Sequence, residues 1–328
     1  MSFKKKKLAI VVLSFNTKKL LKNCLKSVFR SVNITPEVGP DSSGVGRLVS
    51  HSGSVSIIVV DNGSTDGSAE WLKQTSNIKH QASFKVILND RNLGFCEGNN
   101  IGVRYALAQG YDYIMLLNSD TIIKDCFWEP LVDFLENNEK VGVVTPKIYF
   151  APGYEYHSKR YKKSDQGKVI WSMGGVIDWD NVIGANRGVD EIDQGQYDQP
   201  VEVDFASGCC FLARAEVWKR VNFLEEKYFM YYEDDDFSQK AKRAGWKVYY
   251  VPQARIWHLN AGSSRVGSSL QDYFIIRNRL LFGLRFAPLR AKFALIRESG
   301  RLLLGGRKWQ KRGVRDYYLQ RFRGGSWK

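Results

Sequence analysis

Over the first 150 residues, apolar runs alternate with stretches whose apolar positions recur at helical spacing. The runs are Leu8–Phe15, Ser56–Asp61, Phe84–Leu88, Tyr113–Leu117 and Val141–Thr145. Between them, the spacing predicts helices over Lys18–Ser31, Ser68–Thr75, Glu97–Gln109 and Cys126–Asn137. Nearly unbroken Val, Ile and Leu suit strands buried on both faces, and the alternation predicts an α/β fold with a mostly parallel central sheet flanked by helices. Thr35–Ser54, rich in Gly, Ser and Pro, reads as a loop inserted in the first crossover. Ala151–Pro200 is irregular and predicts edge strands and loops. Val201–Phe205 then leads through Ser207-Gly208 to Cys209–Ala213. A helix over Ala215–Val221 and a strand over Lys247–Val251, closed by Pro252, follow.

Ligands of such sheets bind beyond the carboxyl ends of the strands, so the residues after each run matter most. Those tips are Ser14-Phe15-Asn16-Thr17, Asp61–Ser68, Asn89–Phe95 and Asn118-Ser119-Asp120-Thr121. One polar tip is ordinary loop chemistry. Four at one edge describe a site for a polar ligand, most naturally a nucleotide with its sugars. Asp61 can accept hydrogen bonds from a base or a ribose hydroxyl. Asp120, closing the most hydrophobic strand, suits Mg2+ or Mn2+ shared with a diphosphate. His258 is a second metal ligand, a diphosphate contact or a satisfied structural histidine. No Walker A motif is present and no Gly-x-Gly-x-x-Gly opens a helix, so phosphates are not held in either of those ways. Asp61–Glu70 lacks the ligand spacing of a calcium loop.

The acidic run Glu233-Asp234-Asp235-Asp236 follows the aromatic stretch Tyr228–Tyr232 and opens a predicted helix ending at Gly245. At 100° per residue, Asp234 falls on the stripe of Phe237, Ala241 and Ala244, and should face a cleft. Asp235 and Asp236 point elsewhere and take helix-start and surface-pair roles, Asp236 reaching Lys240 four residues on. Glu233 is placed to orient acceptor or donor hydroxyls. Trp257 and the aromatic stretch can stack on sugar rings or pack as core.

Length and charge refine this. The 328 residues hold one large domain with an extension, or two domains. From Tyr273 onward lie 15 of the 49 Lys and Arg but only 2 of the 34 Asp and Glu, which is +13 of the formal +15. Basic residues there alternate with Phe and Leu, which predicts amphipathic helix on an anionic membrane surface. No nucleic-acid-binding motif accompanies the charge. Five cysteines without paired metal spacing fit a reducing cytosol. The apolar run behind Lys4–Lys7 is too short for a signal peptide, and no run of 18 apolar residues predicts a spanning helix.

The series Ile10–Asn16, Val59–Ser68, Asn92–Phe95 with Asn99-Asn100, Leu116–Thr121, Ser207-Gly208 and Glu233–Asp236 resembles the family 2 inverting glycosyltransferases, most closely their rhamnosyltransferase-like branch. The resemblance spans about residues 8–262. It implies a GT-A fold over 1–262 with a basic helical extension over 263–328, and a nucleoside-diphosphate sugar donor. It further implies a divalent metal (Mg2+ or Mn2+) and a glycan or lipid-linked glycan acceptor at the inner membrane face. By position, Asp61 would bind a pyrimidine nucleoside and Asn100 would support the donor pocket. Ser14, Asn16, Asn92, Asn99, Asn118 and Ser119 complete the donor site. Asp120 would be the last residue of a DxD-type metal motif, with Asn118 in place of its first Asp. Asp234 would be the catalytic base, His258 a metal or phosphate contact, and Glu233 and Trp257 acceptor contacts. Two other readings of the residues stay open: a sugar nucleotidyltransferase, and a non-catalytic module binding nucleotide sugars or membranes.

Overall fold

The computed structural model describes residues 6–32, 55–78, 83–124, 127–260 and 268–327. In chain order the first half runs β1 (Leu8–Ser14), α1 (Lys18–Ser31), β2 (Val55–Asp61), α2 (Ser68–Ile78), β3 (Phe84–Leu88), α3 (Gly94–Ala108), β4 (Tyr113–Asn118), β5 (Thr121–Ile122), α4 (Glu129–Glu136) and β6 (Val141–Phe150). The second half adds β7 (Ile170–Ser172), β8 (Gly175–Asp178), β9 (Ile183–Asn186), β10 (Val201–Glu202), β11 (Cys210–Arg214), α5 (Ala215–Val221), α6 (Glu233–Arg243) and β12 (Lys247–His258). Helices α7 (Ser269–Phe286), α8 (Leu289–Gly305) and α9 (Lys308–Tyr318) follow. The insertion at 35–54 and the domain boundary near 262 lie outside the described residues.

The main sheet has the order β10-β12-β6-β11-β4-β1-β2-β3, with β5 added to β12 and β7 to β6. Pairings β1–β2, β2–β3, β1–β4 and β6–β12 are parallel. β11 is antiparallel to both β4 and β6, so the sheet is mixed. The chain steps outward from β1 to β3 and returns to the other side of β1. That return is a topological switch point, where a crevice opens at the strand ends. Register brings Ser14 opposite Asp61 and Leu13 opposite Asn118, so three predicted tips share one edge.

Alternation along each strand divides the core. Ala9, Val11, Ile58, Val60, Ile114 and Leu116 pack with α3 and the C-terminal half of the chain on one face. Leu8, Ile10, Val12, Ile57, Val59 and Met115 pack with α1 and α4 on the other. Both faces are covered, which explains the unbroken apolar runs.

One expectation is corrected here. The strand from Lys247 does not stop at Pro252. β12 runs to His258, and its pairing with β6 slips between Val251 and Arg255. A bulge tolerates proline because the extra residues make no ladder hydrogen bond. The continuation pairs His258 with Thr121 and Trp257 with Ile122. The basic tail folds as helices α7 to α9, and α7 packs on the body. α7 carries Phe282 into the core, stacks Phe274 on Phe229 and buries Arg277 completely. Arg279 pairs with Glu298, and Arg285 with Asp236.

Candidate active site

At the β1 tip the hydroxyls of Ser14, Thr17 and Ser119 form a chain, at 3.0 and 3.1 Å, that ties β1 to the end of β4. Asn16 takes the left-handed φ of 52°. Its amide N–H donates to Ser64 Oγ at 2.9 Å and its Oδ1 accepts from the Thr65 N–H at 2.7 Å. Asn16 therefore shapes the loop after β2. That loop surrounds Asp61, which is 1% exposed. Asp61 Oδ1 accepts from the Ser64 N–H at 2.9 Å, while its Oδ2 is buried without a partner. A buried carboxylate oxygen left unpaired is costly, and a ligand donor would satisfy it.

The other predicted amides are engaged with the protein. Asn92 Oδ1 accepts from the Gly94 N–H at 2.8 Å, at the start of α3. Asn99 Nδ2 donates to Phe95 O. Asn100 holds Leu224 through a reciprocal pair, Nδ2 to O at 2.9 Å and N–H to Oδ1 at 3.0 Å. Its amide fixes the chain that leads to the acidic run instead of facing a donor pocket. Asn62 was not singled out in the sequence. It is buried and links Asn89, Asn92, Leu93 and Gly94. An amide placed directly behind a strand-terminal Asp was the available signal.

Beyond β4, Asn118 and Asp120 are partly exposed and Ser119 is buried. Asp120 Oδ1 lies 3.1 Å from His258 Nε2, and the Leu259 N–H donates to Asp120 O at 2.8 Å. The β12 bulge is what delivers His258 to this point. Its ring meets Trp171 edge-on, centroids 4.6 Å apart. Metal–ligand bonds of about 2.1 Å in an octahedron set neighbouring ligands about 3 Å apart, so this pair has the spacing of two adjacent ligands. No cluster of three or more His, Cys, Asp or Glu occurs among the described residues, so this pair alone does not make a full metal shell. Cys24 lies close by, but burial pushes its thiol up to about 12, so it stays protonated.

Of the four acidic residues opening α6, only Asp234 is partly exposed. Asp234 Oδ2 accepts from the Gly208 N–H at 2.8 Å and Oδ1 from the Asp235 N–H at 3.1 Å. Gly208 lies just before β11, whose Cys210 pairs with Leu117 of β4. Asp234 is thereby held alongside Ser119–Asp120. Buried Cys209 senses both: burial first, then Asp120, raises its thiol, with Asp234 adding to the effect. Burial also raises the carboxyl of Asp234 above the ordinary range, against the lowering by the Gly208 and Asp235 amides. Glu233 and Asp235 are pushed well up, by burial and then by Asp234. Each has one buried oxygen without a partner.

Asp236 is a correction. It is fully buried, accepting from Tyr228 Oη at 3.2 Å and pairing with Lys240 at 3.0 Å and Arg285 at 2.9 Å. The expected pair with Lys240 forms, but inside the protein and not on its surface, because α7 covers that side of α6. Trp257 is separated from the Asp120–His258 pair, since alternation turns it to the opposite face of β12. There it stacks on Tyr149, carries Lys124 over its ring at 4.1 Å and lines a cavity of about 490 Å³.

The segment ahead of Asp234 is strained and clamped. Phe229, Tyr231 and Tyr232 have φ of 68°, 68° and 71°, in the left-handed region that costs non-glycine residues energy. Phe229 O accepts from the Phe95 and Cys96 N–H groups at the start of α3. Arg277 donates to the carbonyls of Lys227, Tyr228 and Arg323 at 3.1, 2.8 and 2.6 Å. Asn278 donates to those of Tyr228, Met230 and Tyr231.

The profile described as Glycosyl transferase family 2 matches residues 9–221, from β1 to the end of α5. A low-salt glycan biosynthesis hexosyltransferase of Haloferax volcanii is 25% identical over 232 residues, 70% of this chain and 67% of its own. An N-acetylglucosaminyl-diphospho-decaprenol L-rhamnosyltransferase of Mycobacterium tuberculosis is 26% identical over 228 residues, 64% of this chain and 68% of its own. Among solved structures, GalNAc-T7 with UDP, GalNAc and Mn2+ aligns at a TM-score of 0.64 and 16% identity, over 95% of this chain and 54% of that one. The mannosyltransferase PcManGT from Pyrobaculum calidifontis, with GDP-Man and Mn2+, aligns at 0.53 and 12% identity, over 97% and 75%. The present chain thus spans about half of the GalNAc-T7 chain, and at such identities the two structures speak for the GT-A fold alone. Glycosyltransferase fold and family profile meet on the same strands, and the chain belongs to glycosyl transferase family 2.

Proposed function

We propose that this glycosyltransferase moves a sugar, with inversion, from a nucleoside-diphosphate sugar to a hydroxyl of a glycan or lipid-linked glycan, in cell-surface polysaccharide assembly at the inner membrane face. The observation that carries this is Asp234: the one partly exposed carboxylate of its run, fixed by the Gly208 N–H beside Asp120. The nucleotidyltransferase and non-catalytic readings give way to the family. Rhamnose as the donor sugar has support from the mycobacterial relative's name.

The chemistry follows from the placement. Asp61, with its free Oδ2, accepts from the nucleoside. Asp234 takes the proton of the acceptor hydroxyl as its oxygen bonds to the anomeric carbon, and the bond from that carbon to the diphosphate breaks on the opposite face. Asp120 and His258 would hold a divalent cation, whose charge offsets that growing on the diphosphate. Mn2+ in the two solved neighbours supports this choice.

A panel of nucleotide sugars, screened for thermal stabilisation with and without Mn2+ or Mg2+, tests the reading. The true donor should raise Tm, more so with metal. Asp61→Ala should weaken donor binding about tenfold or more, the effect of a lost buried hydrogen bond to a charged group. Asp120→Ala should remove the metal-dependent part; metal-dependent stabilisation surviving in that variant would rule out Asp120 as a ligand.

The raised carboxyl of Asp234 has a pH signature. The base works only when ionised, so kcat/KM should fall on the acid side at a pH above the ordinary carboxylate value of about 4. An acid limb at or below that value would refute the assignment.

A further inference from the structure

Helix α8 (Leu289–Gly305) is apolar on two sides. On one, Ala291, Leu295 and Ser299 are buried against the body. On the other, Leu289, Phe293, Ile296, Leu303 and Leu304 are exposed by 72, 71, 46, 41 and 85%. At 100° per residue these five fall in a single arc about 100° wide, turned away from the buried stripe. Arg297, Arg290 and Arg301 line one border of the arc and Lys292 the other. None of the four pairs with a carboxylate among the described residues. The helix's own acid, Glu298, lies on the inward side, 2.8 Å from Arg279. Single exposed apolar side chains are common on any protein. A contiguous face of five on one helix marks an interaction surface.

We infer that this face of α8 docks into the headgroup region of an anionic lipid leaflet. The pattern is that of an interfacial helix: an apolar stripe narrow enough to sink between headgroups, bordered by cations that meet lipid phosphates. At 17 residues the helix is about 25 Å long, and no helix among the described residues is long and apolar enough to cross a membrane. It lies in the plane. A second copy of the chain fits the face less well, because a two-fold axis would set the same Arg borders against each other. The basic residues of α7 take no part, being engaged with α6, the 226–232 segment and Glu298. The placement also serves the proposed function, bringing the site to a lipid-linked acceptor, and in that respect rests on it.

Flotation with vesicles tests this without donor or acceptor, so a failure here is separable from a failure of the transfer reading. The full chain should float with vesicles of phosphatidylcholine containing about one third phosphatidylglycerol, and not with phosphatidylcholine alone. Phe293→Asp together with Leu304→Asp should cut binding more than tenfold, since each residue removes a large inserted side chain. Both positions are exposed, so Tm and solution transfer to a soluble acceptor should be unchanged. Arg297→Glu with Arg301→Glu should abolish the preference for anionic vesicles. Equal flotation of wild type and either double variant would overturn the inference. So would absence of flotation combined with a dimer that Phe293→Asp dissociates, which would give the face to a second copy.

Discussion

Asp234→Asn should lower kcat by about 10²- to 10⁴-fold while leaving donor affinity near that of the wild type. That range is what a positioned general base contributes to a proton transfer. Asparagine keeps the shape and can still accept from the Gly208 N–H, so the loop before β11 should hold its place. It cannot take up the acceptor proton. Single-turnover kinetics with saturating donor isolate the step. A variant within a few-fold of wild type would remove Asp234 from the chemistry. Asp235→Asn is the internal comparison: that side chain is buried, and its substitution should leave the acid limb of the pH profile in place.

Arg277→Met should cost about 3 kcal/mol or more and lower Tm by about 5–10 °C, the scale of losing several buried hydrogen bonds to a charged group. The guanidinium is fully buried and serves three carbonyls from two separate segments. Two of them precede the residues with left-handed φ, so their loss should also loosen the approach to Asp234. Asn278→Ala separates these effects. It frees the carbonyls of Tyr228, Met230 and Tyr231 without removing a charge, and should lower kcat more than it raises the KM of the donor. Melting and kcat both at wild-type values in the two variants would show that the strained segment holds itself.

Much of this site was readable before any coordinates. Strands β1 to β4 stood out because a sheet covered on both faces demands unbroken Val, Ile and Leu. Asp61, Asp120 and Ser14 stood out as candidates simply by following strand ends, and β1, β2 and β4 do end at one edge. Helical phase put Asp234 on the buried stripe and turned Asp235 and Asp236 outward, whereas Asp234 is the partly exposed one and both neighbours are buried. The same phase misplaced Asp236, since helix periodicity cannot report a second helix arriving from 49 residues on with Arg285. Pro252 misled in a similar way: proline marks the end of an ordinary strand pairing, and only the partner strand reveals a bulge. Asn92, Asn99 and Asn100 looked like ligand contacts because asparagine serves ligands and backbones alike. Asn99 bonds a local backbone group, Asn100 a distant one, and Asn92 both the local Gly94 N–H and the distant Asn62 side chain. Arg277 and Asn278 did carry a signal, since with Arg279 they interrupt the apolar run Phe274–Phe282 as a polar cluster. The net charge of the region drew that signal toward a surface role.

The anchoring of residues 227–231 by Arg277 and Asn278, together with the Arg323 N–H bonded back to Lys227 O at 3.0 Å, has a consequence for synthesis on the ribosome. Strands β1 to β4 are made first, but the core face they share with α7 and α8, and the His258 that meets Asp120, come only later in the chain. The segment carrying Asp234 can reach its final shape only after Arg323 has cleared the exit tunnel. A nascent chain would therefore complete this region last, and products terminated before Arg323 would lack the clamp that shapes the approach to Asp234.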